Sequence, residues 1–183
     1  MITHIRAVAL WLAAAICLTT GPAVAGEGLD GYWMDSDGEV LLQIGPCGHD
    51  RCGKVVWLRK PRGADGKPLL DFRNPDPAMQ ARPVCGLTVV TGFKKQPDGT
   101  WGDGTVYVPD HGMSFSGYAE VLSPTKVKVT GYVLIQLLGS SEEWTRVPRR
   151  PPSCEEQAKM IAAGKWSEDI SSWPAAPPPV AAR

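Results

Sequence analysis

Gly31-Tyr32-Trp33 begins the first extended stretch of the chain, and Trp144-Thr145-Arg146 ends the last one. A tryptophan near each end of a β-rich region suits a sheet that closes on itself, because closure makes the first and last strands neighbours. The Arg146 guanidinium can then lie over the Trp33 ring, a contact worth about 0.5 to 2 kcal/mol when desolvated. The two stretches predict a closed barrel in which Gly31, Trp33, Trp144 and Arg146 have structural roles.

Eight short β-rich runs lie between these two ends, without a long stretch of helical periodicity. Turn chemistry at Asp37-Gly38, Pro97-Asp98-Gly99 and Ser123-Pro124-Thr125 favours chain reversal between successive runs. We therefore predict an all-β fold, an eight-stranded antiparallel up-and-down barrel. The predicted strands are 31–34, 40–45, 53–59, 84–94, 100–108, 113–122, 126–134 and 140–147.

Two regions depart from this meander. The connection 60–83 is long and rich in Pro, Gly and Asp, which is typical of a functional lid or of a well-packed surface loop. After Pro148 the composition predicts a short helix over 154–164 and then a disordered Pro/Ala-rich tail. We favour packing of Trp166 and Trp173 on the outside of the barrel over the alternative that they cover an open barrel end. We expect a barrel domain at 26–150 and a C-terminal extension at 151–183.

The first 25 residues predict a secretory signal peptide. His4 and Arg6 precede an apolar run over 7–18, and Ala23-Val24-Ala25 supplies small residues for cleavage near Ala25. The apolar run is shorter than the roughly 20 residues that span a bilayer, and no later segment approaches that length. We expect a periplasmic or secreted protein without a membrane span.

Charge excludes two classes of partner. Lys and Arg total 19, as do Asp and Glu, and no basic stripe runs along the chain. Nucleic-acid binding therefore lacks an electrostatic basis. Basic pairs such as Lys94-Lys95 are too short for electrostatic anchoring to anionic lipid.

Four cysteines follow the signal peptide, and an even number in an exported chain predicts two disulfides with three possible connectivities. We favour Cys47–Cys52 with Cys85–Cys154, because a Cys-x4-Cys spacing can cross a tight reversal. His49 lies between the first two cysteines and makes a metal site conceivable. Oxidation of the thiols and the lack of a nearby fourth ligand favour a disulfide hairpin, so we predict no metal and no cofactor.

Motifs spread over most of the mature chain resemble a family of secreted bacterial proteins known as domain of unknown function 2147, which is lipocalin-like. The resemblance implies a closed eight-stranded sheet and brings no accepted activity. Cys154 and the residues after it depart from the pattern. The matching motifs are Gly31-Tyr32-Trp33, Cys47, Cys52-Gly53-Lys54-Val55-Val56-Trp57-Leu58, Asp71-Phe72-Arg73-Asn74-Pro75-Asp76, Arg82-Pro83-Val84-Cys85-Gly86-Leu87, Trp101, Gly104-Thr105-Val106-Tyr107-Val108-Pro109 and Trp144-Thr145-Arg146.

The long connection holds the main concentration of polar residues. Arg73 and Arg82 could pin a carboxylate or phosphate, with Asn74 nearby. In the alternative that we favour, Asp71 and Asp76 pair with these arginines, and the loop satisfies its own backbone.

Aromatic side chains supply a second set of candidates, since a small barrel can hold one modest molecule. A filled core is the default for the same residues, and we favour it. The full set of candidate ligand-binding residues is Trp57, Arg73, Asn74, Arg82, Trp101, Tyr107 and Tyr118.

Three hypotheses of function follow. The preferred one is a lipocalin-like protein that binds a small, partly apolar molecule in the barrel. The alternative is a cell-envelope structural or interaction module without an internal ligand, which contacts an envelope protein. The third is an enzyme using Asp110 and His111 as an acid–base pair, but Pro-Asp-His-Gly is ordinary turn composition and the chain shows no nucleophile motif.

Overall fold

The computed structural model describes residues 28–177, in which eight antiparallel strands form one closed barrel in chain order. The predicted signal peptide and residues 178–183 of the predicted tail lie outside the described residues. The strands are β1 Gly31–Met34, β2 Val40–Cys47, β3 Asp50–Leu58, β4 Thr88–Lys95, β5 Trp101–Val108, β6 Met113–Ser123, β7 Lys126–Tyr132 and β8 Ser140–Arg146.

The barrel closes through its first and last strands, as the two tryptophan motifs predicted. Trp33 pairs with Arg146, and Met34 pairs with Thr145 across β1 and β8. The other seven pairings join neighbours in sequence, so every connection is that of an up-and-down meander. The predicted fold class is confirmed.

Two predicted strands extended too far by two residues or more, and the third began too late, since β3 starts at Asp50 and not at residue 53. Residues 84–87 do not belong to β4 but bend against β3, where Val55 N–H donates to the Leu87 carbonyl and Gly86 N–H donates to the Val55 carbonyl. The seventh strand ends at Tyr132, because Leu134 adopts a φ of 73°, which a continuing strand does not permit. Residues 133–138 instead form a loop that contains a 3-10 helix at Gln136–Leu138.

Successive connections of an up-and-down barrel alternate between its two ends. We call the end that holds the β2–β3, β4–β5 and β6–β7 connections the closed end, because Leu29 and Arg146 cover it. The opposite end holds the connections 35–39, 59–87, 109–112 and 133–139, and we call it the loop end. The long connection contains one 3-10 helix, Pro77–Met79, which Asp76 caps.

A continuous apolar core fills the barrel. Strand alternation turns Ala119 and Val121 of β6 inward, where they pair with Val129 and Val127 of β7, and turns Tyr118 outward. The buried cluster comprises Leu29, Trp33, Leu42, Ile44, Val55, Leu58, Val84, Leu87, Val89, Val90, Phe93, Trp101, Ala119, Val127, Val129 and Trp144.

The C-terminal extension packs on the outside of the barrel. Its helix α1, Cys154–Ala162, begins with a capping box between Ser153 and Glu156, and a 3-10 helix follows at Ile170–Ser172. The buried Gln157 side chain donates 2.6 Å to the Val56 carbonyl of β3. A second buried cluster lies between the barrel and the C-terminal extension. It contains Leu41, Val56, Trp57, Val147 and Trp173.

Both favoured disulfides are present. Cys47–Cys52 closes the β2–β3 hairpin, and Cys85–Cys154 joins the end of the long connection to the first residue of α1. Within residues 28–177, no helix is long and apolar enough to cross a membrane.

Candidate functional site

The structure brings three of the seven candidate ligand residues together around a buried carboxylate. Asn74, Arg82 and Tyr107 all contact Asp71, whose side chain is fully buried. We call these four residues the polar cluster. It joins the long connection to β5 across 36 positions of sequence.

Three side chains of the polar cluster donate hydrogen bonds within it, whereas Arg82 Nε is buried without a hydrogen-bond partner among residues 28–177. Tyr107 Oη donates to Asp71 Oδ1 at 2.5 Å, and Asn74 Nδ2 donates to Asp71 Oδ2 at 2.8 Å and to Tyr107 Oη at 3.0 Å. An Arg82 guanidinium nitrogen donates to Asp71 Oδ2 at 2.9 Å. The carboxylate thus receives three hydrogen bonds, which satisfies a buried charge.

These contacts set the protonation of the two acidic groups. Burial alone would raise the pKa of Asp71, but the hydrogen bonds from Tyr107, Asn74 and Arg82 outweigh it and hold this pKa below its ordinary value. Burial and the hydrogen bond to Asp71 raise the pKa of Tyr107. The cluster therefore contains a charged carboxylate and a protonated phenol at neutral pH.

The polar cluster fixes the shape of the long connection. Asp71 N–H donates to the Arg82 carbonyl, and Asn74 Oδ1 accepts from Asp76 N–H. Arg73, the other candidate arginine, is exposed and lies over the Phe72 ring. Arg82 thus forms an internal ion pair with Asp71, as expected from the prediction that the aspartates of this connection pair with its arginines. Asp76 does not pair with an arginine in this way but caps a 3-10 helix.

The remaining aromatic candidates lie apart from this cluster. Trp57 is 1% exposed and packs against Trp166 and Trp173 of the extension, with ring centroids 6.1 and 5.6 Å away. Trp101 is buried near the closed end, where Arg51 lies 5.3 Å from its ring centroid. Tyr118 faces outward and is half-buried. Trp57 therefore belongs to the packing between barrel and extension.

The interior toward the closed end is filled by side chains. Phe93 is fully buried, and its ring occupies the space above Gly104 and Gly117, where an added Cβ would lie 2.4 and 2.7 Å from ring atoms. The Trp33 ring also lies at this end, and its Nε1 donates 2.8 Å to the Leu29 carbonyl.

The interior toward the loop end is less completely buried. Alternation turns Val40, Val106 and Phe115 inward, and all three are half-buried. Glu142 of β8 lies on the same face as the buried Trp144, whose Nε1 donates to it at 3.1 Å, yet Glu142 itself is exposed. Solvent therefore reaches inward-facing positions at this end.

Among the described residues, the two other candidate sites from the sequence do not form a catalytic or metal-binding arrangement. Asp110 and His111 are exposed in the β5–β6 turn, where His111 N–H donates to the Val108 carbonyl. Cys47 and Cys52 are joined to each other, so their thiolates are not available to a metal beside His49. Over the described part of the chain, no group of three His, Cys, Asp or Glu side chains could hold a metal ion.

Sequence reasoning missed the exposed apolar loop 133–138. Leu134 is 90% exposed and Leu137 is 89% exposed, and three neighbours are exposed as well. Part of the run Val133-Leu134-Ile135-Gln136-Leu137-Leu138 was predicted as strand because it is apolar. The signal that could have found it is the position of the run, since it occupies the place where a meander requires a turn.

Comparison with known proteins supports the architecture. A family model described as "Uncharacterized protein conserved in bacteria (DUF2147)" matches residues 31–146. A solved structure described as "Protein HP1028 from the human pathogen Helicobacter pylori belongs to the lipocalin family" is similar, with a TM-score of 0.57 and 16% sequence identity. The match covers 73% of this chain and 89% of that one. No curated protein matches the chain.

Proposed function

The chain belongs to the DUF2147 family of uncharacterized bacterial proteins, and on that premise we propose that it binds a small, partly apolar molecule in the loop end of its lipocalin-like barrel. The observation that carries this proposal is the difference between the two ends. Phe93 and Trp33 fill the interior toward the closed end, whereas Val106 and Phe115 face inward and are only half-buried.

The geometry favours entry from the loop end. Arg146 and Leu29 cover the opposite end, so a ligand would approach past the connections 35–39 and 133–139. It would meet apolar surface from Val40, Val106 and Phe115 and a carboxylate from Glu142. Apolar walls with few polar groups are typical of small-molecule sites. Of the sequence candidates, this proposal retains none as a direct ligand contact; Asn74, Arg82 and Tyr107 hold the nearby connection in place.

A titration with a fluorescent fatty-acid analogue, 11-(dansylamino)undecanoic acid, tests the proposal. We expect saturable binding of one probe per chain. Phe115→Gln should weaken it at least about tenfold, since replacing a buried aromatic contact removes more than 1.4 kcal/mol. Tyr118→Gln is the matched control, because Tyr118 lies on the outward face of the same strand.

Circular dichroism melting shows that both variants are folded before they are titrated. Equal probe affinity in Phe115→Gln and Tyr118→Gln would reject the site, as would the absence of saturable binding to the wild type. Native mass spectrometry of gently purified protein provides a separate check, because a bound cellular molecule should add a discrete mass.

We also propose that the protein is exported to the periplasm or secreted, after cleavage near Ala25, with the barrel domain at 26–150 and the extension at 151–183. The two disulfides support an extracytoplasmic location, because paired cysteines persist in oxidising compartments. Edman sequencing of exported protein would identify the first residue. We propose no catalytic role for Asp110 and His111, which lie exposed in a turn.

A second candidate function is an envelope module without an internal ligand. The observation that favours it is the exposed apolar surface at the loop end, which has no partner within the described residues. Crosslinking in intact cells tests this candidate: Leu134→Asn/Leu137→Asn should lose protein partners that the wild type captures.

A further inference from the structure

The β7–β8 connection presents an unusual surface. Val133, Leu134, Ile135, Leu137 and Leu138 are 58, 90, 52, 89 and 74% exposed, and the only polar residue among 133–138 is Gln136. We call residues 133–138 the apolar loop. Exposed single apolar side chains are ordinary in proteins, but five in one uncharged loop mark a contact surface.

The apolar loop has a defined shape. Its base is held close to β7, where an added Cβ on Gly139 would lie 2.8 Å from the Gly131 carbonyl oxygen. Leu138 N–H donates 3.2 Å to the Ile135 carbonyl within the 3-10 turn. Leu134 adopts a φ of 73°, a conformation that is unfavourable for a non-glycine residue and is often retained at functional positions. The backbone conformation thus places the leucine side chains in solvent and not against the barrel.

Two other connections add apolar surface at the same end. Phe72 and Met79 of the long connection are 60 and 39% exposed, and Met113 beside the β5–β6 turn is 51% exposed. In the part of the chain that the structure describes, the closed end has one large exposed apolar side chain, Leu122 at 43%. The apolar surface is therefore concentrated at one end of the barrel.

We propose that the apolar loop docks the loop end of the protein on a lipid bilayer by inserting its leucine side chains into the interface. A six-residue loop offers much less than the roughly 800 Å² that each partner buries in a stable protein interface, so a second protein copy is a poorer fit. A bilayer needs no matching surface shape. Leucine side chains that enter the boundary between headgroups and acyl chains are removed from water over about 5 to 10 Å of depth.

Charge distinguishes this docking from electrostatic anchoring. The apolar loop contains no ionisable side chain, and acidic and basic residues balance over the whole chain. Binding should therefore occur on zwitterionic lipid and resist salt, because screening acts on charges and leaves apolar burial in place. The proposal is independent of the internal ligand proposed above.

Co-sedimentation with phosphatidylcholine vesicles tests the proposal, using exported protein with its N-terminus established by mass spectrometry. Wild-type protein should sediment with the vesicles equally at low and high salt. Leu134→Asn should lower the partition coefficient by about tenfold and Leu134→Asn/Leu137→Asn by more, since each inserted leucine contributes more than 1.4 kcal/mol. Leu122→Asn is the matched control at the opposite end and should bind like the wild type.

Three results would overturn the proposal. The first is equal sedimentation of wild type and the double variant. The second is sedimentation only with vesicles containing phosphatidylglycerol, abolished by salt. The third is a wild-type dimer in light scattering that the double variant lacks, without vesicle binding. Dansyl-probe binding retained in the double variant would show that the internal site and the docking surface are separate.

Discussion

The Arg146 guanidinium lies 4.0 Å from the centroid of the Trp33 ring, and the two residues form a backbone pair between β8 and β1. The same side chain donates to the carbonyls of Gly28, Asp30 and Pro124 at 2.7, 2.6 and 2.6 Å. One arginine therefore joins the first strand, the last strand and the segment that covers the closed end.

Arg146→Lys should destabilise the protein by about 1 to 3 kcal/mol, because an ammonium cannot reach three separate carbonyls and stack on the indole together. Urea unfolding followed by circular dichroism measures the change. Arg150→Lys is the control, since Arg150 is exposed and its side chain makes no hydrogen bond among residues 28–177. Equal stability of the two variants would show that the guanidinium geometry at Trp33 contributes little.

Closure of the barrel could be predicted because its signals are local. Gly31-Tyr32-Trp33 and Trp144-Thr145-Arg146 are short motifs, and turn residues separate the strands between them. The pairing of Tyr107 with Asp71 could not be derived in this way, because it joins a strand to an irregular connection that has no periodicity. The exposed leucines at 133–138 were missed for another reason: apolar composition indicates burial, and this indication outweighed the position of the run, where the meander requires a turn. In the structure the strand ends at Tyr132 and Leu134 adopts a φ of 73°.

Asp71→Asn should destabilise the protein by about 2 to 4 kcal/mol, because the amide cannot accept from Tyr107, Asn74 and Arg82 as the carboxylate does. Asp76→Asn in the same connection should change stability by less than about 0.5 kcal/mol, since asparagine also accepts at a helix N-terminus. Thermal and urea unfolding compare the two variants. A neutral Asp71→Asn would mean that the long connection is held mainly by its apolar contacts.

The pH dependence of this contribution has a definite sign. The pKa of Asp71 is lowered in the folded state, so the unfolded chain binds its proton first as the pH falls. The stabilisation is fully present above about pH 5, beyond the unfolded value of about 3.9, and is lost as the pH falls through the folded pKa. The stability difference between wild type and Asp71→Asn should therefore shrink under acid conditions. A difference that grows toward low pH would contradict the lowered pKa.

The two disulfides should contribute unequally. Cys85–Cys154 spans 69 positions and Cys47–Cys52 spans 5, so removing each should cost about 4 and about 2 kcal/mol through the entropy of the unfolded chain. Cys85→Ser/Cys154→Ser should also loosen the extension and shift tryptophan emission to the red, because Trp57 packs against Trp173. Cys47→Ser/Cys52→Ser should leave the emission unchanged. Identical spectra of both double variants would show that packing alone holds the extension.

Two inward-facing glycines, which pair with each other across β6 and β7, measure how tightly side chains fill the interior beside each of them. An added Cβ at Gly117 would lie 2.7 Å from Phe93 ring atoms and 3.0 Å from a Val106 methyl carbon, whereas one at Gly131 would lie 3.5 Å from Phe115 Cβ. Gly117→Ala should therefore destabilise by about 1 to 3 kcal/mol through overpacking. Gly131→Ala should be neutral or stabilise by up to about 1 kcal/mol, since alanine restricts the unfolded chain. Urea midpoints measure both. If Gly117→Ala is tolerated as well as Gly131→Ala, the interior near Phe93 can yield, and the ligand site need not be confined to the loop end.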